Sequence, residues 1–250
     1  MPKVNPLNIR RVFCDGDIWA YRVGFIAQHE PPESPTPWFM VQEQAQLCID
    51  NVQQKFPKAD IIVCLTDPNH NYREQIAVTR PYKGTRHAPK PYWWKDLRAW
   101  FGSLDNTVMS DNEEADDVMS KVLMVDPKHT AICTEDKDLK NTPGIHFNDK
   151  TGVIENVTPA QAYRNFYTQL LTGDTVDNIP GCPGVGKAKA VSALVDCRSP
   201  EEFERVIGNL YANKVEDPEA MMVEMGRLLW MRRQDDEMWD LRANGFTTKE

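Results

Sequence analysis

Three apolar runs in the first 140 residues each lead into an aspartate. Residues 11–14 (RVFC) end at Asp15, residues 60–66 (DIIVCLT) at Asp67, and residues 130–134 (TAICT) just before the Asp136/Asp138 pair. Helix-type stretches separate them. Residues 18–27 form one. Val41, Ala45, Cys48, Val52 and Phe56, recurring at three- and four-residue steps, mark a second. A third runs from about Tyr92 to Leu104, and a Ser110/Glu113 capping-box pattern opens a fourth that reaches Val125. Strands alternating with helices pack as a parallel α/β sheet. The expected fold class is therefore α/β, a mainly parallel twisted sheet flanked by helices. From Thr158 onward the chain reads as almost wholly helical, with Gly/Pro punctuation between Gly173 and Gly186. The four prolines of residues 29–38 make that stretch a loop.

In open parallel sheets, ligands bind in the crevice outside the carboxyl ends of the strands. That rule sends Asp15, Asp67, Asp136 and Asp138 to one place. Glu114, Asp116 and Asp117 add a fourth contribution in the first turns of a helix, where residues three apart share a face. Asp174 and Asp177, also three apart, add a fifth. A lone aspartate after a strand is ordinarily a turn or cap residue, and acids in a helix's first turn ordinarily complement its dipole; Glu113 reads that way. Five such sites together read otherwise. So many like charges repel unless cations neutralise them. All-oxygen ligands suit Mg²⁺ or Mn²⁺, and the lack of clustered His and Cys argues against zinc. Two such ions about 4 Å apart are the usual machinery for phosphodiester hydrolysis.

A net charge of −8 at first argues against a phosphate-rich partner. The nine acids just named account for that excess, so the remaining surface is close to neutral and can carry basic patches. No apolar run is long enough to span a membrane, and residues 1–11 have no signal-type apolar core. The six scattered cysteines include no CxxC pair and fit reduced thiols in a cytoplasmic setting.

The strings DGD (15–17), EADD (114–117), TEDKDL (134–139) and GDTVDNIPG (173–181) resemble, in order, the metal-binding motifs of the flap endonuclease and 5′→3′ exonuclease family. The resemblance covers roughly residues 9–195 and is closest to the free-standing bacteriophage type, which lacks a polymerase domain. It implies that Asp15, Asp67, Glu114, Asp116 and Asp136 hold one Mg²⁺. Asp138, Asp174 and Asp177 lean to a second, with Asp117 close by, and Mn²⁺ can substitute. The string RPYKGTR (80–86) is similar to the family's gateway. By that likeness Tyr82 stacks on a base beside the cleaved bond, Lys83 and Arg86 meet the scissile phosphate, and Arg80 adds to the DNA-binding surface. Between Arg86 and Glu114 the chain is short for the family's helical arch.

Residues 179–190 admit two readings. Gly181, Gly186 and Lys187 satisfy the spacing of a nucleotide-binding P-loop, but Ala188 stands where its Ser/Thr belongs and no strand precedes it. The other reading is a helix–hairpin–helix in which Gly184-Val185-Gly186 turns tightly, and Lys187 and Lys189 open a helix toward a DNA phosphate. In the resembling family this element often holds K⁺. The expected division is an α/β nuclease core over 1–158, with a gateway segment at 80–108, and a helical DNA-binding region over 159–250 that lends Asp174 and Asp177 to the active site. The expected activity is hydrolysis near DNA 5′ ends at flaps, nicks, gaps or duplex ends, and possible on RNA–DNA hybrids, by a monomer with no membrane association. Alternatives are a PIN-type ribonuclease and a catalytically inactive DNA-junction-binding protein.

Overall fold

The computed structural model describes residues 4–28 and 35–242, so the first part of the expected proline loop at 29–38 lies outside the described residues. The chain forms two compact units, one of residues 1–71 and 88–157 and the other of residues 72–87 and 158–250.

The first unit is built on a six-stranded sheet in the order β3-β2-β1-β4-β5-β6. The strands are β1 (Arg11–Asp15), β2 (Asp60–Leu65), β3 (Thr107–Met109), β4 (Thr130–Cys133), β5 (Gly144–Asn148) and β6 (Val153–Val157). All neighbours pair parallel except β5 and β6, which form an antiparallel hairpin. Four helices accompany the sheet: α1 (Gly16–Ile26), α2 (Trp38–Lys55), α4 (Trp94–Gly102) and α5 (Ala115–Val125). β1 and β4 are apolar without alternation because helices cover both faces of the sheet's centre. Trp19 packs on Phe101 at a centroid distance of 5.9 Å, and Phe147 meets Phe56 edge-on at 5.3 Å. The chain runs outward from β1 to β2 and β3, then returns to place β4 on β1's other side. The strand order therefore reverses between β1 and β4, and that reversal creates the crevice at their carboxyl ends.

Three sequence expectations need correction here. β3, β5 and β6 were not foreseen; they are short, and β6 is half-exposed along most of its length. The third helix begins at Trp94, not Tyr92. The fourth begins at Ala115 and is not capped by Ser110 and Glu113. Its capping box is formed by Glu114 and Asp117, whose Oδ2 accepts the Glu114 N–H at 3.2 Å. Ser110 is occupied elsewhere: its hydroxyl donates to the Glu113 carbonyl and accepts the Asp67 N–H. The Glu113 carboxylate pairs with Lys121 at 2.6 Å.

The second unit is helical: α3 (Tyr72–Ile76), α6 (Pro159–Thr172), α7 (Lys187–Ala193), α8 (Pro200–Ala212) and α9 (Pro218–Leu229). α6 and α8 open with the same local grammar, a Thr or Ser cap, proline in the first turn, and a Gln or Glu that closes a capping box: Thr158 with Gln161, Ser199 with Glu202. The core is aromatic, with Tyr167 stacked on Phe203 at 4.8 Å and Phe166 edge-on to Trp230. Arg73 is fully buried, yet satisfied, because its guanidinium donates to the carbonyls of Leu228 and Trp230. The expected gateway segment 80–108 is thus divided. Residues 80–87 belong to this second unit, because the Tyr82 ring sits in its core, whereas 88–108 belong to the first.

Candidate metal centre and gateway

At the β1/β4 reversal, Asp15 is the last residue of β1 and also the N-cap of α1. Its Oδ1 accepts the Ile18 N–H at 2.9 Å, and its Oδ2 accepts the Thr134 hydroxyl at 3.1 Å. Thr134, just past β4, also accepts the Asp136 N–H at 3.0 Å, so one hydroxyl links the two aspartates. Sequence reasoning passed over Thr134; its signal was its place between a buried strand and the DKD turn. Asp136 in turn accepts the Asp138 N–H at 2.8 Å. Glu114 is buried and accepts from the Asn71 side chain at 3.1 Å.

Electrostatics tie these acids together. Burial first, and with it the negative charges of Asp136 and Glu114, outweigh the hydrogen bonds from Ile18 and Thr134 and raise the Asp15 carboxyl to about 6. A buried acid whose ionisation two neighbouring acids oppose, with oxygen donors around it, suits a hard divalent cation. Among the described residues no group of three or more His, Cys, Asp or Glu side chains is placed to hold a metal ion.

The other acids of the first unit differ. Asp67 closes the loop after β2: it accepts the N–H groups of Asn69 and Asn112, and the first of these leads in holding its carboxyl below the usual range. Asp116 is half-buried and close enough to add its charge to the Cys64 thiol's surroundings. Asp117, expected close to the second metal, is fully buried and serves the capping box. Asp17, in the DGD string, forms an ion pair with Arg98 and accepts the Thr66 N–H at 2.8 Å, tying α4 to the end of β2.

In the second unit, Asp174 is buried after α6. Its backbone exchanges two hydrogen bonds with Ile179 (2.8 and 2.7 Å), and its carboxylate accepts the Val176 N–H at 2.7 Å. Asp177 faces the gateway: Tyr82 donates its hydroxyl to Oδ2 at 2.9 Å, and Arg86 pairs with Oδ1. Tyr82, expected to stack on a base, is only 8% exposed, and its ring packs in the unit's core. In the Gly184–Gly186 turn, Gly184 takes φ +70°, the conformation glycine adopts without strain. Gly186, Lys187 and Lys189 are exposed, but Val185 is buried. The buried Val185 side chain therefore anchors the turn. Arg80 is exposed.

Comparison with known proteins agrees with the fold. The D15 protein of bacteriophage T5, crystallised with metal ions, matches with a TM-score of 0.63 at 16% identity, covering 88% of this chain and 89% of that one. The fold is that of the 5′-nucleases. A bacteriophage T5 D15 flap endonuclease in complex with DNA and metal ions matches with a TM-score of 0.62 at 14% identity, covering 88% of each chain. The catalytic core of Rad2 in complex with DNA substrate matches at 0.54 and 12% identity, over 82% of this chain and 64% of that one. The 5′-3′ exonuclease of Buchnera aphidicola subsp. Baizongia pistaciae (strain Bp) is 26% identical over 188 residues, 67% of this chain. The chain covers 58% of that relative's length. No family model matches. In fold the chain resembles the bacteriophage T5 D15 protein, and in sequence the Buchnera aphidicola 5′-3′ exonuclease. Within this 5′-nuclease fold, no helix of the described residues is long and apolar enough to cross a membrane.

Proposed function

We propose that the protein is a divalent-metal-dependent 5′-nuclease that hydrolyses phosphodiester bonds near DNA 5′ ends, as an exonuclease, a flap endonuclease or both. The observation that carries this reading is Asp15 at the β1/β4 reversal, buried where the charges of Asp136 and Glu114 both oppose its ionisation. The exonuclease name of the sequence relative and the DNA and metal ions in the structural neighbours support it. In this reading Asp15, Glu114 and Asp136, with Asp116 and Asp67, hold one Mg²⁺, and Asp138, Asp174 and Asp177 serve a second. When bound, such ions lower the pKa of the attacking water and offset charge at phosphorus. The chain's own part is to hold the acids in register: Thr134 links Asp15 to Asp136, and Asn71 fixes Glu114. Lys83 and Arg86 supply cations for the scissile phosphate. A monomeric, cytoplasmic enzyme with K⁺ at the 184–186 turn, able to accept RNA–DNA hybrids as well as DNA, completes the proposal.

The test is cleavage of a nicked circle and the same circle covalently closed, with Mg²⁺ or EDTA. Degradation from the nick in Mg²⁺ only, with the closed circle intact, is the expected result. Cleavage in EDTA would overturn the metal requirement, and rapid attack on closed circles would overturn the dependence on a 5′ end.

The exposed 184–186 turn gives a separate test of duplex binding. A Cβ added at Gly186 would meet nothing within 4 Å, and φ there is −85°. Gly186→Ala should therefore leave stability within about 0.5 kcal/mol of the parent. If the turn's backbone approaches a phosphate, the same methyl should weaken duplex binding and flatten its salt dependence. Unchanged affinity, measured by fluorescence anisotropy across a salt series, would remove the turn from the interface.

A further inference from the structure

The acid expected as a second-metal ligand has a task of its own in the second unit. We propose that Asp177 is the positioning residue that fixes both gateway cations, Lys83 and Arg86; the inference rests on the nuclease reading above.

Residues 80–87 contain Arg80, Lys83, Arg86 and His87 within eight positions and make no helix or strand. Such a segment has little reason to hold one shape by itself. Residues 176–178 of the same unit hold it at several points. The Lys83 N–H donates to the Asp177 carbonyl at 2.9 Å, and the Asn178 side chain donates to the Pro81 carbonyl at 2.9 Å. The Arg86 Nε donates to the Val176 carbonyl at 3.4 Å. Between these backbone ties stands the Asp177 carboxylate, which uses one oxygen for the Tyr82 hydroxyl and the other for the Arg86 guanidinium. The Lys83 ammonium lies 5.0 Å from the centroid of the Tyr82 ring. One carboxylate therefore holds Arg86 directly and Lys83 through the ring it anchors.

The backbone shows the same investment. Lys83 and Asn178, facing each other across this junction, both take positive φ, 55° and 61°. Side-chain-bearing residues adopt that region at some cost and keep it where surrounding contacts impose it. Two turns complete the segment, from Gly84 N–H to the Pro81 carbonyl and from Arg86 N–H to the Lys83 carbonyl, each at 3.0 Å.

The test combines hydrogen exchange without metal and cleavage with it. Exchange of the 80–87 peptide is followed in EDTA for the parent, Asp177→Ala, Tyr82→Phe and the double variant. Losing a hydrogen bond to a charged acceptor should speed exchange of 80–87 about tenfold in Asp177→Ala, while α6, α8 and α9 keep their protection. The double variant should match Asp177→Ala alone, because both changes remove the same hydroxyl–carboxylate bond. In cleavage, Tyr82→Phe should lower kcat about fivefold with KM and the half-saturating Mg²⁺ unchanged. Unaltered exchange in Asp177→Ala, loss of protection spread over all the helices, or parental kcat in Tyr82→Phe would each overturn the proposal. Absence of cleavage by the parent would instead sink the nuclease reading, and the exchange data would still decide whether Asp177 positions the segment.

Discussion

Asp136→Asn is expected to lower cleavage by at least about 100-fold while leaving DNA affinity equal or higher. Loss of a residue that only orients a metal ligand typically costs 10- to 100-fold, and a direct ligand costs more. Asparagine keeps the size of the side chain and the acceptor used by the Asp138 N–H, and the Asp136 N–H still reaches Thr134. What disappears is one negative charge beside Asp15. That charge is among the causes of Asp15's raised pKa, so its removal shifts Asp15 back toward the ordinary carboxylate range. Asp15 alone, however ionised, attracts a divalent cation less than the pair does. DNA phosphates meet less repulsion, which is why binding should not suffer. Single-turnover cleavage and EDTA-phase binding separate the two effects. Parental turnover at the same Mg²⁺ concentration would remove Asp136 from the centre.

Gly173→Ala should be more damaging still, to folding and not to chemistry. Gly173 ends α6 with φ 67° and ψ −171°, a region essentially reserved for glycine. A Cβ there would stand 2.2 Å from the Ile179 carbonyl oxygen and 2.6 Å from the Gly181 nitrogen, and both of those are backbone atoms. Neither can swing aside without breaking the paired Asp174–Ile179 hydrogen bonds. Strain and collision together should cost about 4 kcal/mol or more, which is a large share of the stability of an ordinary domain. Chemical denaturation followed by Trp230 and Trp239 fluorescence reads this directly. A loss below about 1 kcal/mol would mean that the 173–181 loop rearranges to accept a side chain at this position.

The parts of the fold legible in the sequence were those whose signal is local. β1, β2 and β4 are buried on both faces, so they read as uninterrupted apolar runs, and the acids that end them could be named. The β5–β6 hairpin escaped because β6 is half-exposed along most of its length and neither strand shows a clean alternation. The cap of α5 was misplaced because Ser110 and Glu113 match the pattern as well as Glu114 and Asp117 do. The choice is settled by Asp67, whose N–H occupies the Ser110 hydroxyl from 43 residues away. The core position of Tyr82 escaped for a similar reason. Its neighbours are proline, lysine and glycine, and nothing nearby announces that its ring joins a core built from residues beyond 160.

All six cysteines are buried as free thiols, Cys14, Cys48, Cys64 and Cys133 in the first unit, and Cys182 and Cys197 in the second. Burial raises the pKa of each, so alkylating reagents must wait for the surrounding structure to open. Each thiol is thus a built-in clock for local unfolding. Mass spectrometry of a timed alkylation would give the opening rates of the sheet and of the helical unit from one sample, without any introduced label.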